Sequence, residues 1–166
     1  MKIRRATIAD VPVLVLLNRS VHALHVDALP DRFRRDPPTE VVSQAFTTTL
    51  AAPSSYWLLA EEQNEIAGFL SAGFLERDES WYSLARHVCY LAGIAVAPHF
   101  RHRGIARALV ADLQREAAAR GASSIELDVW AINTSASEVF SKLGFNDVMR
   151  KMTLPMVKST AVSPGI

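Results

Sequence analysis

Apolar residues recur at every fourth position from Ile105 through Leu109 and Leu113 to Ala117, with Val110 beside them. This spacing predicts a helix over 104–120, ended by Gly121 in the position where a left-handed glycine stops helices. A second stripe, Val11, Leu14, Val15 and Leu17, predicts a helix reaching Leu24, with Thr7 and Asp10 spaced as an N-cap and its N3 partner. Thr39 caps a helix through Leu50 that carries Val42, Ala45, Phe46 and Leu50 on one face. Ala136, Val139, Phe140 and Leu143 predict a short helix over 133–143, closed by Gly144.

Shorter apolar runs read as strands. Residues 2–6 form the first. Residues 56–60 and 66–75 flank the polar turn 61–65, which is a hairpin signal. Residues 87–96 are apolar and partly β-branched, so they predict a buried strand. Residues 123–130 predict another, and 145–156 one or two more. Prolines 30, 37 and 38 make 27–38 a loop, and 77–80 is a polar break. The order is β1-α1-α2-β2-β3-β4-α3-β5-α4-β6-β7. Such a chain folds as an α/β domain with a mixed central β-sheet and helices on both faces. There is no repeat and no linker, so 1–156 reads as a single domain and 157–166 as a flexible tail.

Composition narrows the function classes. A chain of 166 residues, 49% hydrophobic and 21% charged, suits one globular core. The net charge of +1 gives no global reason for nucleic-acid binding. The longest apolar stretches, 11–17 and 91–98, fall well short of the roughly 20 residues of a membrane span. Lys2, Arg4 and Arg5 precede an apolar stretch as in a secretory leader, but Asp10 and Pro12 interrupt it. Cys89 is the single cysteine, which rules out an intrachain disulfide and fits the cytoplasm.

Chemistry concentrates in 91–106. There a strand runs through Pro98-His-Phe-Arg-His-Arg-Gly-Ile-Ala into the long helix. Backbone N–H groups at such a helix start lack partners, and the helix dipole makes the point electropositive. Gly104 lets a ligand approach the backbone, and Ala106 keeps the first turn open. Arg101, His102, Arg103 and Arg107 add positive charge, so a pyrophosphate is the expected guest. Neither G-x-G-x-x-G nor a P-loop is present. What stands there is Arg101-x-x-Gly104-x-Ala106.

That segment resembles the acetyl-coenzyme A signature of the GNAT superfamily of N-acetyltransferases. Asn133-x-x-Ala136-x-x-x-Phe140-x-x-x-Gly144-Phe145 resembles the family's second signature, and Ile3-Arg-Arg-Ala-Thr-x-x-Asp10 its first strand and helix entry. The similarity spans roughly residues 3–154. It implies an acetyltransferase that moves the acetyl group of acetyl-CoA to an amine of a small molecule or peptide, in a ternary complex. It implies that Arg101, His102, Arg103, Gly104, Ile105 and Ala106 cradle the pyrophosphate. It implies that Ile94, Ala95 and Val96 line the pantetheine arm through their backbone, that Asn133 contacts the same arm, and that Phe140 lies near the thioester sulfur. No metal is implied, and a homodimer is compatible with the resemblance.

Two positions depart from the family's pattern. The general-base position, often Glu or His, holds Tyr90, whose phenol has an ordinary pKa near 10. Position 140, usually a proton-donating Tyr, holds Phe140. Glu126, Asp128, His22 and His25 are the other candidates for a base. A second class of reading follows: a CoA-binding sensor or partner protein with weak or no catalysis.

Overall fold

The computed structural model describes residues 1–156. In chain order the elements are β1 (Lys2–Arg5), α1 (Val11–Ala28), α2 (Thr39–Ala51), β2 (Ser55–Glu62), β3 (Glu65–Arg77), β4 (Arg86–Val96), α3 (Ile105–Ala119), β5 (Ser124–Glu126) and α4 (Thr134–Lys142). One sheet holds the strands in the order β1-β2-β3-β4-β5. Every neighbouring pair is antiparallel except β4 and β5, which run parallel. The expected α/β architecture with a mixed sheet is therefore the one observed.

Both faces of the sheet are covered, and the alternation along β2 shows how. Tyr56, Leu58 and Ala60 point into the cluster under α3, with Leu70, Cys89, Leu91, Ile105, Leu109 and Leu113. Trp57 and Leu59 point the other way, toward Leu14 of α1 and Phe46 and Leu50 of α2. Trp57 stacks on Phe69 with ring centroids 6.1 Å apart and tilts against Phe46 at 5.3 Å. Leu14, Leu59, Leu70, Leu109 and Leu113 are fully buried. At Gly68 a Cβ would lie 2.6 Å from the carbonyl oxygen of Ala95, so a side chain there would push β3 off β4.

The first turn is tied down by charge. Arg4 pairs with Asp10 at 2.8 Å and with Glu61 of β2. Thr7 and Asp10 form the expected capping box, although it closes the short 3₁₀ turn Ile8–Asp10 that leads into α1. The Arg4 guanidinium holds the Asp10 carboxyl well below the usual carboxylate range.

Three boundaries differ from the sequence pattern. Helix α1 continues past Leu24 to Ala28, because Val26 turns inward and is buried. Strand β5 stops at Glu126 instead of reaching Trp130, since β4 offers it no ladder beyond Tyr90. Residues 145–156 form no strand among the described residues, so the expected β6 and β7 are absent there. They lack any ladder partner, and strand-like patterning without a partner leaves the backbone solvated. The expected tail 157–166 lies outside the described residues.

Candidate active site

Strand β4 pairs with β3 along its whole length and with β5 in its first half alone. Its first half pairs with β5 at Val88–Ser124, Cys89–Ile125 and Tyr90–Glu126. From Leu91 to Val96 it keeps only β3. The change falls at a bulge: Ser71 of β3 faces Gly93 and Ala72 faces Leu91, so Ala92 is the extra residue, and it is exposed. A bulge bends its strand and ends regular pairing. The edge of β4 away from β3 is therefore free of any strand over Ile94, Ala95 and Val96 among the described residues. An extended chain can hydrogen-bond along such an edge.

At the end of that edge the chain makes the turn that opens α3. His102 has φ 63° and Gly104 φ 80°, both left-handed. Two such residues within three positions curl the backbone into a concave run of amides that suits an anion. A Cβ on Gly104 would meet nothing within 4 Å, so the space before the helix start is open. Phe100 and Ile105, 2% and 1% exposed, anchor the two sides of the turn in the core. The cradle is thus open in front and fixed behind, and it fits a pyrophosphate.

The basic side chains divide. Arg101 is exposed, and its Nε donates to the Val96 carbonyl at 3.4 Å. His102 and Arg107 are exposed as well, and Ala106 is half-buried. Arg103 instead reaches Glu62 of β2 at 3.7 Å and covers the Phe100 ring at 5.2 Å, so part of its charge is already matched.

Asn133 caps α4, its Oδ1 accepting from the Ala136 N–H at 3.1 Å. Phe140 is half-buried against the main core, edge-on to Phe145 at 5.6 Å. Its ring offers no proton.

Tyr90 sits where β4 and β5 part. Its hydroxyl donates to Asp128 Oδ2 at 3.0 Å. Burial first, and then that hydrogen bond, push the phenol up, so it keeps its proton. Glu126 is engaged with Arg86 and Ser124. Cys89 is buried and pushed up to about 11, mainly by burial, which marks a packed thiol.

One grouping escaped the sequence pattern. His25 stacks on Phe33 at 5.1 Å, Phe33 meets Trp130 edge-on at 5.2 Å, and Trp130 lies 6.5 Å from His25. Arg32 lies over the Trp130 ring at 5.8 Å. The cluster joins the end of α1, the loop after it and the segment beyond Asp128. Burial first, and then the neighbouring His22, hold the His25 pKa below 6.5, so the imidazole is neutral at pH 7. His22 itself is within 2.7 Å of the Arg34 carbonyl through Nε2. His25 was legible as a candidate base; Phe33 and Trp130 carried no signal of their own.

Known proteins resemble the chain in sequence and in fold. The model of the acetyltransferase (GNAT) family matches residues 18–145. Over 63 residues the chain is 38% identical to aminoglycoside N(6')-acetyltransferase type 1 of Salmonella typhimurium, covering 38% of this chain and 43% of that protein. Over 101 residues it is 32% identical to the [ribosomal protein bS18]-alanine N-acetyltransferase of Haemophilus ducreyi, covering 56% of this chain and 68% of the relative. The chain thus spans less than half of the first relative. The crystal structure of a tetramutant of the BH1408 protein of Bacillus halodurans superposes with a TM-score of 0.88 at 25% identity, over 94% of this chain and 100% of the other. Among the described residues no helix is long and apolar enough to cross a membrane.

Proposed function

The chain belongs to the acetyltransferase (GNAT) family, and from that premise we propose that it transfers the acetyl group of acetyl-CoA to a primary amine. The observation that carries this reading is the free edge of β4 running into the open turn at Gly104. The pyrophosphate would rest on the amides of 101–106. The pantetheine arm would lie along Ile94–Val96, with Asn133 beside it and Phe140 near the sulfur. Both curated relatives carry names in which nitrogen accepts the acetyl group, which supports an amine here.

The acceptor would enter between the Tyr90–Asp128 pair and the cluster of His25, Phe33 and Trp130. Asp128 supplies negative charge to an incoming ammonium, and the aromatic faces favour a cation. The neutral imidazole of His25 takes the proton the amine must lose. The free amine then attacks the acetyl carbonyl carbon, and a β4 backbone N–H stabilises the oxyanion. The tetrahedral adduct collapses with cleavage of the C–S bond, and its nitrogen gives up its second proton, which balances the one the leaving thiolate takes. Tyr90 keeps its proton, so in place of the base expected at that position it serves as a donor, and it can protonate the departing thiolate that Phe140 cannot serve.

The test is thiol release from acetyl-CoA with a panel of primary amines and peptide N-termini, alongside calorimetry of CoA binding. Amine-dependent release above hydrolysis supports the reading. Tight CoA binding without amine-dependent turnover favours the second reading, a CoA-binding sensor or partner protein, for which Phe140 is the motivating residue.

A further inference from the structure

The end of the β3–β4 hairpin carries a charge that the chain itself does not balance. Arg77, the last residue of β3, is the register partner of Arg86, the first residue of β4. Like charges directly opposite each other on paired strands destabilise the pair. One of the two is matched, because Arg86 pairs with Glu126. Arg77 is exposed and has no ion pair or side-chain hydrogen bond among the described residues. Its neighbour Glu76 points to the other face, where it lies 3.8 Å from His87. Asp78 and Glu79 lie past the end of the strand.

The unmatched charge stands on the face of the sheet that carries Tyr90. Side chains alternate along β4, so Arg86, Val88 and Tyr90 share one face, and Leu75 and Arg77 lie across from them on that same face. Cys89 and Leu91 belong to the cluster under α3, so the face of Tyr90 and Arg77 is the opposite one, on the side of α1. Glu126, the counter-ion of Arg86, is the register partner of Tyr90 on β5. The charge of Arg77 also reaches the Tyr90 phenol, where it opposes the upward push of burial and of Asp128.

We propose that Arg77 is a specificity residue that receives a carboxylate carried by the acceptor, whose amine lies at Asp128 and Tyr90. This rests on the acetyltransferase reading of the site. The acceptor is then an amine that also bears a carboxylate: an amino acid, or a peptide whose N-terminal amine lies beside an acidic side chain. Its two poles match the two poles of the face, ammonium to Asp128 and carboxylate to Arg77. A guanidinium holds a carboxylate through two parallel N–H···O bonds. The bound carboxylate supplies for Arg77 the counter-charge that Glu126 supplies for Arg86. A polycationic amine brings no such group, and Arg77 repels it.

Acceptor pairs that differ in the carboxylate alone test this by thiol release from acetyl-CoA. Phenylalanine against phenethylamine probes the free amino acid, and the dipeptide amides Ala-Glu against Ala-Gln probe the peptide. The expected result is kcat/KM about tenfold or more higher for the acid member of one pair, carried by KM. The pair that shows it identifies the source of the carboxylate. Arg77→Gln should erase that preference and leave the neutral member within about twofold, while Arg77→Lys keeps part of it. Arg77→Gln also relieves the repulsion with Arg86, so it should melt at or above the wild-type temperature. A wild type that treats both members of both pairs alike overturns the proposal, as does a preference that survives in Arg77→Gln. If no amine releases thiol, the acetyltransferase reading fails, and calorimetry with CoA present still decides on Arg77. N-acetylphenylalanine should then bind more tightly than N-acetylphenethylamine to the wild type and equally to Arg77→Gln; equal binding to the wild type overturns the proposal.

Discussion

The Tyr90 hydroxyl donates to Asp128 Oδ2 at 3.0 Å, joining β4 to the segment after β5 at the place where the two strands part. The pair combines a phenol that keeps its proton with a carboxylate that can face a cation. Asp128→Asn keeps the shape and removes the charge. Steady-state kinetics should show KM for the amine rising about tenfold, which is about 1.4 kcal/mol, with CoA affinity unchanged. Tyr90→Phe should instead lower kcat by about tenfold to a thousandfold. An unchanged kcat in Tyr90→Phe would remove the donor role.

As the proposed base, His25 should give the pH profile its acidic limb. Burial, and then His22, depress its pKa from 6.5, so it is neutral at and above neutrality. Activity should hold from pH 8 down past 6.5 and fall only in more acid solution, with a midpoint below 6.5. The stability sign is the same. The unfolded chain binds this proton more readily, so folding loses the His25 contribution as pH drops below the unfolded pKa. A kcat/KM profile whose acidic midpoint does not move in His25→Gln, measured on the residual activity, would exclude His25 as the base.

Gly104 separates backbone strain from bulk and charge. Its φ of 80° penalises any side chain, yet no atom stands within 4 Å of a Cβ there. Gly104→Ala should lower the melting temperature slightly, with strain of about 1 kcal/mol, and retain most CoA affinity. Gly104→Glu carries the same strain and adds a carboxylate before the helix start. Calorimetry should show CoA affinity down by more than tenfold in that variant. Equal affinities for the two variants would refute the pyrophosphate placement.

Phe140 is half-buried and edge-on to Phe145, and the proposed placement near the sulfur requires its ring tip to face the cleft. Phe140→Tyr should melt close to the wild type, and turnover should stay the same or rise. A hydroxyl driven into packed core would cost about 1–3 kcal/mol and lower the melting temperature clearly. That result would place Phe140 away from the thioester.

Asp10 supports the fold in acid-sensitive fashion. Its carboxyl is held low, first by the Arg4 hydrogen bonds. A depressed carboxylate contributes stability above the unfolded pKa near 4 and loses it as pH falls toward the folded value. Asp10→Asn should therefore lower the melting temperature at pH 7, and the gap to wild type should narrow below about pH 4. Differential scanning calorimetry at several pH values measures both.

Helix α3 was legible because its inward residues are four apart and a glycine stops it. Strands β2 and β3 were legible from the hairpin pattern. The length of β5 was overread: Leu127 and Val129 keep alternating with polar neighbours, but pairing depends on β4, and β4 turns away at Ala92. Nothing in Leu91-Ala92-Gly93 announces a bulge except the neighbouring glycine. The turn proposed for the cofactor lies in one contiguous segment, 101–106, and so was legible. The aromatic cluster was not, because His25 and Phe33 lie some hundred positions before Trp130, and no local pattern joins them. Residues 145–156 show some of a strand's alternation, but alternation does not supply a ladder partner, and no strand forms there among the described residues.

The bulge at Ala92 divides the molecule's responsibilities. Before it, β4 is fastened to β5 as well as to β3, and so to Tyr90, Asp128 and the proposed acceptor side. After it, β4 is fastened to β3 alone and leads to the Gly104 turn. One inserted residue thus loosens the mechanical link between the two halves. On the proposed reading, side chains around His25, Phe33 and Trp130 can be exchanged, and a different amine admitted, while the grip on the acyl donor stays as it was.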